Sequence, residues 1–163
     1  PVHCKASKES FEAIAEADII ILGPGSLYTS VIPNLLVDGI AEKIVQSKAP
    51  KVYICNVMTQ SGETENYTAF DHMNVLIAHT RPDILNYCIV NTGKVPKELL
   101  KKYEEEGAYP VVSDSDKIIE KGYNVIEGDV VNIQNYVRHD AKKLSKVIID
   151  LTLKTKGKKI SID

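Results

Sequence analysis

The spacing of apolar residues switches repeatedly between helical and strand periods along the chain. Phe11, Ile14 and Ala15, after Ser10, recur at helical spacing. They lead into Ala17-Asp18-Ile19-Ile20-Ile21-Leu22, whose β-branched content predicts a strand buried on both faces. A glycine-rich turn ends that strand. Ser30 before Val31-Ile32-Pro33 predicts a helix start, with a serine N-cap and a proline in the first turn. Ile32, Leu35, Leu36, Ile40 and Ile44 then share one face. Beyond Pro50, Lys51 to Cys55 predicts a second strand, followed by thirteen residues, Asn56 to Thr68, with neither period. A connection that long inside a compact domain is usually functional. Thr68-Ala69-Phe70-Asp71 fits a capping box, opening a helix that carries Phe70, Met73 and Ile77 and closes at Arg81-Pro82.

The alternation continues with a strand from Leu85 to Val90, a helix from Pro96 to Glu106 with Leu99, Leu100 and Tyr103 on one side, and a strand from Tyr109 to Val112. A short helix spans Asp116 to Lys121. Asn124 to Glu127 and Val130 to Ile133 are expected to form a hairpin around Gly128-Asp129. Asp140 caps a last helix with Leu144, Val147, Ile148 and Leu151 inward. Strands alternating with helices predict an α/β fold: a mostly parallel sheet, right-handed crossovers and helices on both faces. One domain over 1–153 and a basic flexible tail over 154–163 follow. In open sheets of this kind ligands sit beyond the carboxyl ends of the strands. The loops Gly23 to Ser30, Asn56 to Thr68, Asn91 to Lys94 and Ser113 to Asp116 are therefore expected to share one rim, and all four are rich in glycine, hydroxyls, amides and carboxylates.

Twenty basic residues against twenty-two acidic ones leave a formal charge of -2 over 163 residues. That balance provides no electrostatic footprint for nucleic acid or an anionic membrane, so an anionic ligand must be held locally. No apolar run exceeds the four residues of Ile19 to Leu22, far short of a membrane-spanning helix. A soluble, cytoplasmic chain without membrane insertion is expected. Cys4, Cys55 and Cys88 are odd in number and lack metal-like spacing. Two of them lie in apolar runs, which predicts buried free thiols and no metal site.

Gly23-Pro24-Gly25-Ser26-Leu27-Tyr28-Thr29-Ser30 sits between a strand and a helix, where glycines let backbone amides approach a phosphate; a purely structural turn reads equally well. Asn56, Thr59, Gln60, Ser61, Glu63 and Thr64 offer neutral or acidic hydrogen-bonding groups suited to a sugar or base edge, or simply a solvated loop. Asp71 and His72 stand on a first helical turn, where the imidazole could act as a base or hold a phosphate, or be an ordinary surface residue. Tyr103 reads as a core residue or a ligand contact. Arg138-His139-Asp140 precedes the last helix, where a guanidinium could clamp a diphosphate or form a salt-bridged cap. No catalytic residue is singled out.

The strings Ala17-Asp18 with Gly23-Pro24-Gly25-Ser26-Leu27-Tyr28-Thr29-Ser30-Val31-Ile32-Pro33-Asn34-Leu35-Leu36, and Tyr53-Ile54-Cys55-Asn56-Val57-Met58-Thr59-Gln60 with Gly62-Glu63-Thr64, strongly resemble one family. It is the gluconeogenesis factor family (YvcK-like), within the superfamily of 2-phospho-L-lactate transferase (CofD-like). Tyr67-Thr68-Ala69, Asp71-His72 and Val137-Arg138-His139 extend the likeness over most of 10–150. The resemblance implies a Rossmann-like fold and binding of a nucleotide-sugar of the UDP-N-acetylglucosamine type, in a regulatory protein that ties carbon metabolism to cell-wall synthesis and cell shape.

By motif, Gly23, Gly25, Ser26 and Thr29 would line the diphosphate side, joined by Ser30 and Asn34, while Asn56, Thr59 and Gln60 would face the ligand. Tyr103 and Arg138 resemble the family's ligand-contacting pair, with Asp71, His72 and His139 as further candidates. The alternative implied by the superfamily is a transferase joining a phosphorylated lactate-like group to a deazaflavin precursor, which alone would call for a divalent metal. Otherwise no cofactor beyond the UDP-sugar ligand is expected. The expected partners are that small molecule and a second copy of the chain in a dimer. Family members are longer and begin with a Gly-Gly-Gly-Thr-Gly strand-turn-helix absent here, so the chain is expected to be the C-terminal half of a larger, here incomplete, domain.

Overall fold

A computed structural model describes residues 4–134 and 136–157. Four parallel strands, β1 (Ile20–Leu22), β2 (Lys51–Ile54), β3 (Tyr87–Asn91) and β4 (Asn124–Gly128), lie side by side in chain order. The register puts Leu22 beside Tyr53, Tyr53 beside Cys88 and Cys88 beside Val125, in one row across the sheet. Ile54, Ile89 and Ile126 form a row on the opposite face. Because side chains alternate along a strand, each row must be covered by its own layer of helices.

The first row packs against α1 (Lys8–Glu16), α2 (Ile32–Leu35), α3 (Ile40–Gln46), α4 (Ala69–Ala78) and α6 (Ser115–Glu120), through Ile14, Leu35, Ile44, Met73, Leu76 and Ile118. The second row is covered by α7 (Ala141–Thr155), through Leu144, Val147, Ile148 and Leu151. The helix α5 (Lys97–Glu105) joins neither layer. Its Leu99, Leu100 and Tyr103 pack on Val57, Met58, Val131 and Val137, beside a two-stranded antiparallel ribbon of β5 (Val131–Asn132) and β6 (Arg138–His139). The α/β class, the parallel pairing and the helices on both faces all agree with the pattern of apolar positions.

Several local expectations are corrected. The first helix starts a turn early, because the Ser7 hydroxyl accepts from Ser10 N at 3.3 Å. Strand β1 is not buried on both faces: it is an edge, α7 lies over β2 to β4, and Ile21 is 39% exposed. The helix expected from Ser30 through Ile44 is broken into a π-type turn (Leu27–Val31), α2 and α3. Ser30 lies inside that turn rather than capping a helix. The break falls at Gly39, whose φ of +85° suits glycine and where a Cβ would come within 2.9 Å of Phe11. Leu36, placed on the common face by spacing, is turned outward and exposed.

Tyr109 to Val112 is extended but is no strand of the sheet; it bonds to the loop after β2 through Thr59 N to Tyr109 O at 2.7 Å and Val111 N to Val57 O at 3.0 Å. Pro110 supplies no amide to carry a ladder further. The hairpin around Gly128-Asp129 does not form either. Asn124–Gly128 is the fourth parallel strand, with Val125 half-buried against one helical layer and Ile126 against the other, and Val131–Asn132 pairs with Arg138–His139 instead. The capping box stands: Thr68 Oγ1 accepts from Asp71 N, and Asp71 Oδ2 accepts from Thr68 N at 2.9 Å. The last helix continues two residues past 153, and Lys156 pairs with Asp18. The remainder of the expected tail, 158–163, lies outside the described residues.

Because one helix covers the second face, its inward residues carry that layer. Leu151→Ala is expected to lower stability by about 2–5 kcal/mol, whereas Ile149→Ala, at an exposed position on the same helix, should change it by no more than about 0.5 kcal/mol. Urea unfolding of the two variants measures the difference.

Candidate functional site

The loops after β1 and β2 are joined by their own side chains. Gly23 adopts a φ of +87°, and a Cβ there would sit 3.2 Å from Ile54 O, so glycine lets the chain fold back over the end of β2. The Ser26 carbonyl then accepts from Ser30 N at 2.9 Å and Val31 N at 3.0 Å, which closes the wide π-type turn. Gln60 Nε2 donates to Ser26 Oγ at 2.9 Å, and Thr29 Oγ1 donates to Glu63 Oε1 at 3.3 Å. Gln60 Oε1 and Glu63 Oε2 are buried without a hydrogen-bond partner. Buried acceptors of that kind are places where a ligand or water completes the bonding.

Beside this junction lies a cavity of about 790 Å³. Gly25 and Ser26 line it from the first loop, Asn56, Thr59 and Gln60 from the second, and Tyr103, Arg138 and His139 from α5 and β6. Thr59 is held at both ends by Tyr109, its amide donating to Tyr109 O and its hydroxyl accepting from Tyr109 N at 2.9 Å. Tyr103 does more than pack: its hydroxyl accepts from Val137 N at 2.9 Å, which fixes the residue next to Arg138. The Arg138 guanidinium is exposed, lies 5.0 Å from the centre of the Tyr136 ring, and has no ion pair among the described residues. His139 Nε2 donates to Cys55 O at 3.1 Å. Burial holds its pKa below the usual histidine value, which keeps the ring neutral. An uncompensated guanidinium facing hydroxyls and amides suits an anionic, oxygen-rich ligand.

The remaining sequence-derived candidates lie elsewhere. Gly23, Ser30 and Asn34, with Gly25, line a smaller cavity of about 280 Å³ at the free edge of β1. Thr29 lines neither cavity. Asp71 serves the capping box, and His72 is wholly buried in the core, with Nδ1–H donating to Thr68 O at 2.8 Å. Its Nε2 has no partner, its ring stands edge-on to Tyr67 at 5.5 Å, and burial lowers its pKa. Tyr67 in turn bonds the Tyr28 hydroxyl at 2.8 Å, a bond that, with burial, pushes the Tyr28 pKa up to about 12. Cys55 and Cys88 are buried free thiols raised by desolvation, Cys88 to about 12.

The two other rim loops do not reach the large cavity. Asn91 Oδ1 accepts from Gly93 N and Val130 N, bracing the turn out of β4, and Asp114 Oδ1 accepts from Phe70 N at the start of α4. Their place is taken by α5 and β6. Met58, Glu106 and Val137 also line the cavity and were not singled out. Glu106 lies three residues after Tyr103, so its shared helix face was legible in the spacing. Met58 carried no such signal, because an apolar residue in a loop reads as packing.

Two expectations follow. Tyr103→Phe removes the acceptor of Val137 N–H, which should accelerate hydrogen exchange at that amide and cost about 1 kcal/mol. The depressed pKa values of His72 and His139 mean that the unfolded chain binds protons more readily below about pH 6.5, so stability is fully present above that pH and is lost as pH falls through the folded-state values. His72→Phe should flatten that fall, measured as the urea midpoint between pH 7.5 and 5.5.

Comparison with known proteins agrees with the sequence motifs. The family model described as 2-phospho-L-lactate transferase CofD matches residues 1–131. The gluconeogenesis factor of Bacillus subtilis (strain 168) is 46% identical over 144 residues, 88% of this chain and 45% of that protein. The gluconeogenesis factor of Halalkalibacterium halodurans is 46% identical over 151 residues, 92% of this chain and 47% of that one. A crystal structure of a UPF0052 family member from Bacillus halodurans superposes with a TM-score of 0.87 at 47% identity, covering 89% of this chain and 47% of that chain. The chain thus spans about half the length of the relatives it matches. With a family match over most of its length, this chain belongs to the CofD family, and gluconeogenesis factors are among its relatives.

Proposed function

We propose that this chain binds a nucleotide-sugar of the UDP-N-acetylglucosamine type and acts as a regulatory protein linking carbon metabolism to cell-wall synthesis and cell shape. The observation that carries the reading is Arg138, a guanidinium without a counter-ion among the described residues, set in the wall of a cavity that the Gly25-Ser26 and Asn56-to-Gln60 loops also line. The cavity's volume of about 790 Å³ is within the range of small-molecule sites. Arg138 suits the diphosphate, because guanidinium and phosphate oxygens form charge-assisted bonds in a fork geometry. Ser26, Asn56 and Gln60 supply the neutral donors and acceptors that sugar hydroxyls and a pyrimidine edge require. The gluconeogenesis factor name of the relatives supports the regulatory part of the reading in general terms.

The transferase description of the family model favours a second reading, phosphate-group transfer to a deazaflavin precursor. The divalent metal that reading calls for finds no fitting ligand set among the described residues, where no three His, Cys, Asp or Glu side chains come together to hold one, so no step is derived through it.

Calorimetric titration with UDP-N-acetylglucosamine tests the first reading. Saturable binding is expected, with Arg138→Ala weakening it about ten- to a hundredfold, the loss of a charge-assisted hydrogen bond. UDP-glucose should bind less tightly. Absence of saturable binding to the wild-type chain would falsify the reading, and a transferred product formed with magnesium would replace it by the second.

A further inference from the structure

Lys102 stands on α5 immediately before Tyr103, and two intrahelical carboxylates lie within its reach in sequence, Glu98 four residues before and Glu106 four after. Exposed lysines commonly pair at that spacing. Lys102 pairs with neither. Its Nζ instead lies 5.2 Å from the centre of the Tyr136 ring, the same ring that holds the Arg138 guanidinium at 5.0 Å. Two cations without counter-ions among the described residues therefore flank one aromatic ring, and that ring is half-exposed next to the wall of the cavity. The π face attracts each cation, but their mutual repulsion is left uncompensated by any carboxylate among the described residues.

We propose that Lys102, Tyr136 and Arg138 form an outer anion subsite of the cavity, which takes a second negative charge of a diphosphate-bearing ligand. It rests on the reading of the cavity as an anionic-ligand site and adds a binding residue, Lys102, and an orienting ring, Tyr136. Arg138 lines the cavity, and Lys102 is the neighbour on α5 of Tyr103, which lines it too. A diphosphate presents several oxygens to cations approaching from different sides, whereas a monophosphate at the inner loops reaches Arg138 alone. Tyr136 keeps the two cations in place without a carboxylate that an incoming anion would have to displace. Lys102 thereby makes the cavity select for the number of phosphates as well as their presence.

The test uses the whole chain and three probes, UDP-N-acetylglucosamine, UMP and inorganic pyrophosphate, titrated into wild type, Lys102→Gln, Lys102→Arg and Tyr136→Leu. Lys102→Gln is expected to weaken the UDP-sugar about two- to fivefold, as for a solvent-accessible ion pair, and to leave UMP unchanged. Lys102→Arg should restore binding, and Tyr136→Leu should weaken the UDP-sugar while leaving the thermal midpoint in place. The salt dependence of UDP-sugar binding should be shallower in Lys102→Gln, because one screened contact is gone. Wild-type binding of the UDP-sugar with an unchanged affinity in Lys102→Gln overturns the subsite and leaves the nucleotide-sugar reading standing. Pyrophosphate binding that depends on Lys102, without binding of the UDP-sugar, supports the subsite and removes that reading. Binding of neither probe by the wild type overturns both.

Discussion

The requirement that a parallel sheet be covered on both faces governs this structure. Every residue of β2 from Lys51 to Ile54 is buried, with Tyr53 turned into one helical layer and Val52 and Ile54 into the other. Even Lys51 conforms, sending its ammonium to Ser47 O at 2.7 Å while its stem stays inside. With the interior strands enclosed in this way, the chain leaves each one only at its carboxyl end or its amino end, and the polar groups of the exits have to find partners locally. The loops that do so from β1 and β2 lean on each other through Gln60 and Ser26, and their contact shapes one side of the cavity.

The other side depends on a non-sheet segment. Residues 109–112 bond to the loop after β2 through Val57 and Thr59, and this draws α5 towards the cavity, where Tyr103 closes onto Val137. Tyr103 and Arg138 are thus mechanically connected by one hydrogen bond to the intervening amide. One side chain thus both lines the cavity and holds the residue next to Arg138 in place. The same economy operates at Thr59, whose amide and hydroxyl are both committed to Tyr109 while its side still lines the cavity.

Electrostatically the molecule separates its titratable groups by burial. His72, Cys55 and Cys88 are enclosed and held neutral by desolvation, so they contribute to packing and none of them lines the cavity. Arg138 and Lys102, both exposed and without an ion pair among the described residues, are gathered on one ring. That arrangement sets two positive charges beside the cavity on a chain whose overall charge is nearly balanced.

The alternating periods of the apolar residues were sufficient for the fold class, because a strand with two buried faces and a helix with one leave different spacings that local reading detects. The capping box at Thr68 and Asp71 and the cap at Asp140 were legible for the same reason: each is settled within four residues. The glycine-rich turn, the Asn56-to-Gln60 loop and Arg138 were visible as chemistry, and motif likeness tied them to one family. What spacing did not contain was pairing between distant segments. Whether 124–128 turned back as a hairpin or joined β3 depended on which arrangement packed Val125 and Ile126 against the two helical layers. That β1 became an edge, that His72 went into the core while His139 reached the cavity, and that Lys102 passed over Glu98 and Glu106 for Tyr136 were likewise decided by neighbours far away in the chain, since side-chain environment is a property of the packed molecule and not of the local period.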